Sequence, residues 1–324
     1  MIWWVLSACL SSPECLREDV FCAALVTDTQ GIDDHGINQD AWAGMEAAKA
    51  NGFADRVEYI ESVDSRDYSK NIAYFAERRY DIIFTSGIAL EDETHQAADL
   101  YPYTVFVGLS QPFEESRPNL IPITFPEDQM GFSAGLLAAN ISETGIVGAV
   151  CETSGIDSMW RYCEGFKAGA EYESETVEVL VAYREGGDSE KIFIDEAWGY
   201  ETGASLVEHG ADVIFAAGGG TGQGALRAAS ELGVMAIGSE RNQAVDLGES
   251  GSGVVTSFYG AASSEVQETI RIMSEGQLPT ARVGQVQFVP LGPLFPETLG
   301  IDLKFLLEAL ENGEIPIKIP LESR

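Results

Sequence analysis

Short apolar runs alternate with segments of helical period along almost the whole of this 324-residue chain. The runs fall at 20–28, 57–62, 81–87, 104–109, 120–125, 145–152, 176–183, 212–218, 234–239 and 253–259. The helical segments lie near 38–51, 67–79, 92–100, 127–140, 156–171, 196–209, 222–232, 261–275 and 302–311. A helix between successive strands supplies the crossover that parallel pairing needs, so the chain is predicted to be α/β, with parallel sheets covered by helices on both faces. So many strands over this length predict two sheets. The repeat of β-α units on either side of Phe125-Pro126 predicts two similar lobes.

The charge balance narrows the function. The chain has 52 acids against 19 bases, a net charge of -33, which argues against nucleic acid or an anionic membrane as a partner of the folded body. No run approaches the ~20 apolar residues of a membrane span. His35, His95 and His209 are scattered and there is no Cys-x-x-Cys, so no metal site is expected. The chain has no G-x-S-x-G elbow, since its G-F-S-A-G at 131–135 falls inside the helical segment 127–140 rather than at a strand end, and it has no H-E-x-x-H or P-loop ending and no nucleophile paired with a base; no catalytic residue or cofactor is expected. The Gly-rich turn at 218–224, G-G-G-T-G-Q-G, departs from a dinucleotide fingerprint because its third glycine is displaced.

The stretch Val26 to Gly44 is where such a sheet would meet a ligand. Asp28 closes an apolar strand, and Asn38 and Gln39 open a helix after a polar loop, at the carboxyl end of the sheet where loops gather carboxylates, amides and helix N-termini. The stretch also resembles the D-x-G-x-x-D-x-x-F-N-Q signature of the basic membrane protein family, the nucleoside-binding lipoproteins of bacterial ABC importers. Further matches follow in order: D-I-I-F-T-S-G at 81–87, G-F-S-A-G-L-L-A-A at 131–139, E-G-F-K-A-G at 164–169 and G-A-D-V-I-F-A-A-G-G-G-T-G-Q-G at 210–224.

The resemblance implies a type I periplasmic binding protein: two Rossmann-like lobes, three crossovers, a cleft between them and capture of ligand by lobe closure. Lobe one would comprise 18–125 plus 257–284, and lobe two 126–256 plus 285–324, behind a signal, lipobox and tether over 1–17. The implied function is an extracytoplasmic, lipid-anchored solute-binding subunit that takes a purine nucleoside and docks on ABC permease subunits. A sensor lipoprotein presenting a nucleoside-like or sugar-like signal to a receptor is the alternative, and an enzyme acting on nucleosides a third.

By the same resemblance, Asp28 and Asn38 would grip the base. The bland reading is that Asp28 ends a strand and Asn38 caps its helix. Ile37 stands where the family carries a stacking aromatic, and Phe193 in I-F-I-D matches the second ring, with Trp198 and Trp160 as other candidates. Gly219, Gly220 and Glu240 would meet the sugar, Glu240 replacing an Asp, while Gly260 stands where the family has a lysine. Leu6-Ser7-Ala8-Cys9 resembles a bacterial lipobox with Cys9 as the acylated residue, although its apolar run is short and no basic residue precedes it. The other four cysteines allow three full pairings and no spacing selects one; Cys22 and Cys151, in strands, read as buried thiols.

Overall fold

The computed structural model describes residues 14–320 except 18, 35, 114, 116, 187, 189 and 190; Cys9 and the lipobox lie outside the described residues. Every apolar run forms a strand: β1 (Cys22–Thr27), β2 (Arg56–Glu61), β3 (Ile82–Ser86), β4 (Val105–Leu109), β5 (Leu120–Thr124), β6 (Ile146–Cys151), β7 (Glu178–Tyr183), β8 (Val213–Ala217), β9 (Met235–Ser239) and β10 (Val254–Gly260). Two short strands not foreseen, β11 (Arg282–Val283) and β12 (Val286–Phe288), complete two sheets ordered β11-β5-β4-β3-β1-β2 and β12-β10-β9-β8-β6-β7. Pairing among β1 to β5 and among β6 to β10 is parallel throughout, whereas β12 runs antiparallel to β10. β1, β3, β4 and β8 are buried at every position, which is why they read as unbroken apolar runs rather than alternating ones.

The helices are α1 (Ile37–Ala50), α2 (Tyr68–Ala76), α3 (Glu91–Leu100), α4 (Glu127–Ile141), α5 (Asp157–Glu173), α6 (Glu196–Glu208), α7 (Gly219–Glu231), α8 (Gln243–Leu247), α9 (Ala262–Ser274) and α10 (Glu297–Glu311). α7 starts at Gly219, earlier than expected, because the glycines of its first turn argue against a helix by propensity alone. α10 starts directly after Pro296, a residue compatible with a helix entrance. The chain divides into one unit of Met1–Ile32, Ala41–Thr124 and Ala262–Arg282, and a second of Asp33–Asp40, Phe125–Ala261 and Val283–Arg324.

The cysteines correct one expectation. Cys22 and Cys151 are not thiols: Cys15 bonds to Cys22 and Cys151 to Cys163. The pairings depend on how the segment before β1 and the helix after β6 fold back on their strands, which spacing alone does not encode. Disulfides of this kind persist in oxidising compartments. Closing loops with sequence separations of 7 and 12 constrains the unfolded chain, so reduction is expected to lower the thermal midpoint measurably. The loop-closure contribution is about 2–3 kcal/mol per bridge. A midpoint unmoved by reductant, with free thiols confirmed by titration, would count against the pairings.

Candidate functional site

Both sheets reverse their strand order at a corresponding place, between β1 and β3 in the first and between β6 and β8 in the second. In open parallel sheets a ligand binds outside the carboxyl ends of the strands at such a reversal. Two sets of residues stand at these places, one in each unit.

In the first unit Asp28 follows β1. Its carboxylate accepts the backbone N–H of Gln30 at 3.0 Å and that residue's side-chain amide at 3.3 Å. Gly87 follows β3, and a Cβ there would lie 2.9 Å from Asp28 Oδ2. Tyr68 is buried nearby; burial and the Asp28 charge raise its phenol pKa. Ser86 Oγ is buried with no hydrogen-bond partner among the described residues. Behind them the buried Gln111 donates to the Gly87 carbonyl at 2.8 Å and meets Thr85 Oγ1 at 3.2 Å, holding the end of β3 in place. Gln111 and Tyr68 lie outside every motif quoted above; Ser86 lies within D-I-I-F-T-S-G at the end of its strand, but nothing in that match singled it out.

The second unit holds Asp33–Asp40 and the strand-end loops of its own sheet. Asp34 accepts the N–H groups of Gly36, Asn38 and Gln39 at 2.9, 3.0 and 3.1 Å, so Asp34 caps α1 and Asn38 does not. Asn38 is 1% exposed beside the half-buried Ile37. Glu240 follows β9 with φ +67, and its Oε2 accepts the N–H of Gly219 at 2.9 Å and of Gly218 at 3.4 Å. The carboxylate thus occupies the seat an anion would take at the N-terminus of α7. Its pKa is pushed up to about 7, first by burial and then by the charges of Asp34 and Glu152, against the two N–H bonds that favour its ionised form.

Phe193, with φ +66, lies on the loop before α6, and its carbonyl oxygen would be 3.3 Å from a Cβ on Gly220. The structure therefore brings Phe193 against Gly220, and Glu240 against Gly219 and within electrostatic reach of the loop that carries Asn38. Trp198 packs instead on a hydrophobic core of the second unit. Trp160 stacks on Tyr183 at 5.6 Å and donates its indole N–H to the Pro320 carbonyl. Arg241 pairs with Asp246 at 2.7 Å. A Cβ on Gly260 would be 2.3 Å from the Phe125 ring.

Sequence reasoning missed a buried group at the same strand ends. Glu152, fully buried directly after β6, receives Thr221 Oγ1 at 2.7 Å, the Phe193 N–H at 3.0 Å and Arg184 Nη1 at 3.2 Å. It stands after β6 as Asp28 stands after β1, and that equivalence was the available signal. No group of acidic, histidine or cysteine side chains suited to a metal ion occurs among the described residues.

Residues 21–286 match the family described as ABC transporter substrate-binding protein PnrA-like. The chain belongs to this family. Among its relatives, the CD4+ T-cell-stimulating antigen of Listeria monocytogenes is 30% identical over 74% of this chain and 70% of its own. The ABC transporter nucleoside-binding protein BmpA of Lactococcus lactis is 28% identical over 68% of this chain and 60% of its own. An ABC transporter solute-binding protein from Conexibacter woesei shares the fold, with a TM-score of 0.77 at 21% identity, over 93% of this chain and 100% of that one. As a PnrA-like protein the chain is an extracytoplasmic solute-binding component of an ABC transporter, not an enzyme. It serves a small-molecule ligand and permease partners. Among the described residues, no helix of this PnrA-like chain is long and apolar enough to cross a membrane.

Proposed function

We propose that this solute-binding protein takes a purine nucleoside, captured by lobe closure. The observation that carries the reading is Asp28 after β1 at the first reversal, together with the grouping in the second unit of Phe193 against Gly220 and of Glu240 against Gly219 and within electrostatic reach of the loop that carries Asn38. A nucleoside needs a flat apolar face for its base, a polar group for the base edge and acceptors for its ribose hydroxyls. Asp28 and Asn38 supply the edge, Phe193 and Ile37 the faces, and Glu240 with the Gly219-Gly220 turn the sugar end. The relative named as nucleoside-binding supports the ligand class.

The test is the thermal midpoint of the ligand-stripped protein with inosine, adenosine or guanosine, against pentoses and free bases. Ligand at about 100 times its dissociation constant stabilises the folded state by about 2.7 kcal/mol. No shift with any of the three nucleosides sinks the reading. Asp28→Ala and Asn38→Ala are expected to weaken inosine binding by tenfold or more with the fold intact, since a polar partner lost from a closed site costs about 1–3 kcal/mol. Calorimetric titration of both variants checks this, and unchanged affinity would reassign the base edge.

We further propose that Cys9 is acylated and tethers the protein at the membrane surface. In that case Cys9→Ser abolishes incorporation of labelled fatty acid and releases the protein from the membrane fraction. Labelling that persists in the variant refutes the anchor.

A further inference from the structure

Phe193 holds a left-handed backbone conformation, φ +66, that a residue with a side chain rarely adopts because its Cβ crowds the backbone. Its neighbours Ile192 and Ile194 are exposed. Such a conformation persists only where the surroundings over-determine it, and here they do. The Phe193 N–H is donated to Glu152 Oε2 at 3.0 Å, and the same oxygen accepts the Thr221 hydroxyl at 2.7 Å. Glu152 Oε1 faces Arg184 Nη1 at 3.2 Å. Arg184, 5% exposed, reaches Asp195 Oδ2 at 3.3 Å and donates to the Asp188 carbonyl at 3.0 Å. Asp195 closes the ring: its N–H is donated to Thr221 Oγ1 at 3.1 Å, and its carboxylate accepts the Trp198 N–H at the start of α6.

A buried carboxylate is tolerated when its charge is matched and its lone pairs are filled, and Glu152 meets both conditions. The partners it chooses are specific. They join the end of β6, the first turn of α7 and the loop before α6, and the backbone N–H that Glu152 Oε2 accepts is that of Phe193. The Glu152 N–H is itself fixed by the Ala217 carbonyl at 3.2 Å, so the clamp is anchored on the sheet rather than on a loop.

We infer that Glu152 is a positioning residue: with Thr221 and Arg184 it locks the Phe193 backbone so that the ring is presented to ligand already oriented. The inference rests on the reading of Phe193 as a ligand-stacking ring. Holding the ring before binding removes the ordering that would otherwise oppose it. A residue that only stabilises the second unit would affect binding whether or not the ring is present; one that acts through the ring would not.

The experiment uses the full chain with inosine as probe and compares wild type, Glu152→Gln, Phe193→Ala and the double variant by calorimetry. Amide exchange over residues 191–197 is read by mass spectrometry on the same proteins. Glu152→Gln keeps the side-chain shape and removes the charge. It is expected to weaken inosine about tenfold in wild type and less than about twofold in the Phe193→Ala background, a non-additivity that marks groups acting together. Exchange over 191–197 is expected to quicken about tenfold, as local opening does where a holding bond is lost, while α4 and α5 keep their protection. Equal losses of affinity in both backgrounds, or exchange unchanged in Glu152→Gln, overturn the inference. If wild type does not bind inosine, the nucleoside reading falls and the exchange result alone decides whether Glu152 holds the loop. Should Glu152→Gln fail to fold, Thr221→Val breaks the same ring with a neutral change and is read by the same criteria.

Discussion

Gly135→Val and Gly169→Val are each expected to prevent the second unit from folding. α4 and α5 touch backbone to backbone: a Cβ on Gly135 would lie 1.8 Å from the Phe166 carbonyl oxygen, and one on Gly169 1.9 Å from that of Phe132. The same holds one turn earlier, where Gly131 would meet the Tyr162 carbonyl oxygen at 2.1 Å. Overpacking costs about 1–3 kcal/mol where side chains can rotate away. Main-chain oxygens inside helices have no such escape, so the helices must part along their whole contact. Parting them uncovers Phe166, which is fully buried and stacks on Phe215 at 5.2 Å. Circular dichroism and urea unfolding of purified variants decide the matter: a wild-type midpoint in either one would show that the helices can separate without loss.

Acidification from pH 8 to pH 5 is expected to stabilise the protein. Glu127 and Glu240 both have pKa values pushed up to about 7 in the folded state, from 4.5 for the ordinary side chain. For Glu127 the cause is burial, opposed by Arg161 at 3.5 Å and reinforced by the charges of Asp128 and Asp157. A carboxyl whose folded pKa lies above its unfolded one binds its proton more tightly in the native state. Its contribution is complete below the unfolded value and is lost as pH rises through the folded one, so the window runs from about 4.5 to 7. The ceiling is about 3 kcal/mol for each group. Self-repulsion in a chain of net charge -33 acts in the same direction. Urea midpoints across this range should fall with rising pH, and Glu127→Gln should flatten the curve while leaving Arg161 its partner Asp128 at 2.5 Å. A rising or level profile in wild type refutes the assignment.

The ten main strands were legible to within about two residues because parallel strands covered on both faces leave an unbroken apolar record. β11 and β12 have two and three residues, too few for any period to show. The opening of α7 was hidden by glycines whose role is spatial: a Cβ on Gly218 would lie 2.8 Å from that of Glu152. Asp28 could be found because it ends a strand inside a recognisable loop. Thr221 and Arg184 could not, since their meaning depends on partners brought near only by folding. Glu152 lay between these cases, visible to the strand-end argument that had singled out Asp28. Asn38 shows the opposite limit: its residue type suits a cap, yet Asp34, whose two carboxylate oxygens accept the N–H groups of Gly36, Asn38 and Gln39, takes that place.

The contact between Phe125 and Gly260 bears on descent. Phe125 is 4% exposed, and its ring stands 2.3 Å from where a side chain at position 260 would begin. Placing any side chain at 260, the lysine implied by the family signature included, therefore takes two changes in a fixed order, a smaller residue at 125 and only then the substitution of Gly260. The reverse order passes through a protein with a clash in its interior. A lineage holding this pair has no single-step route to a side chain at 260, so new chemistry at the end of β10 is reached more readily at a neighbouring position than at 260 itself.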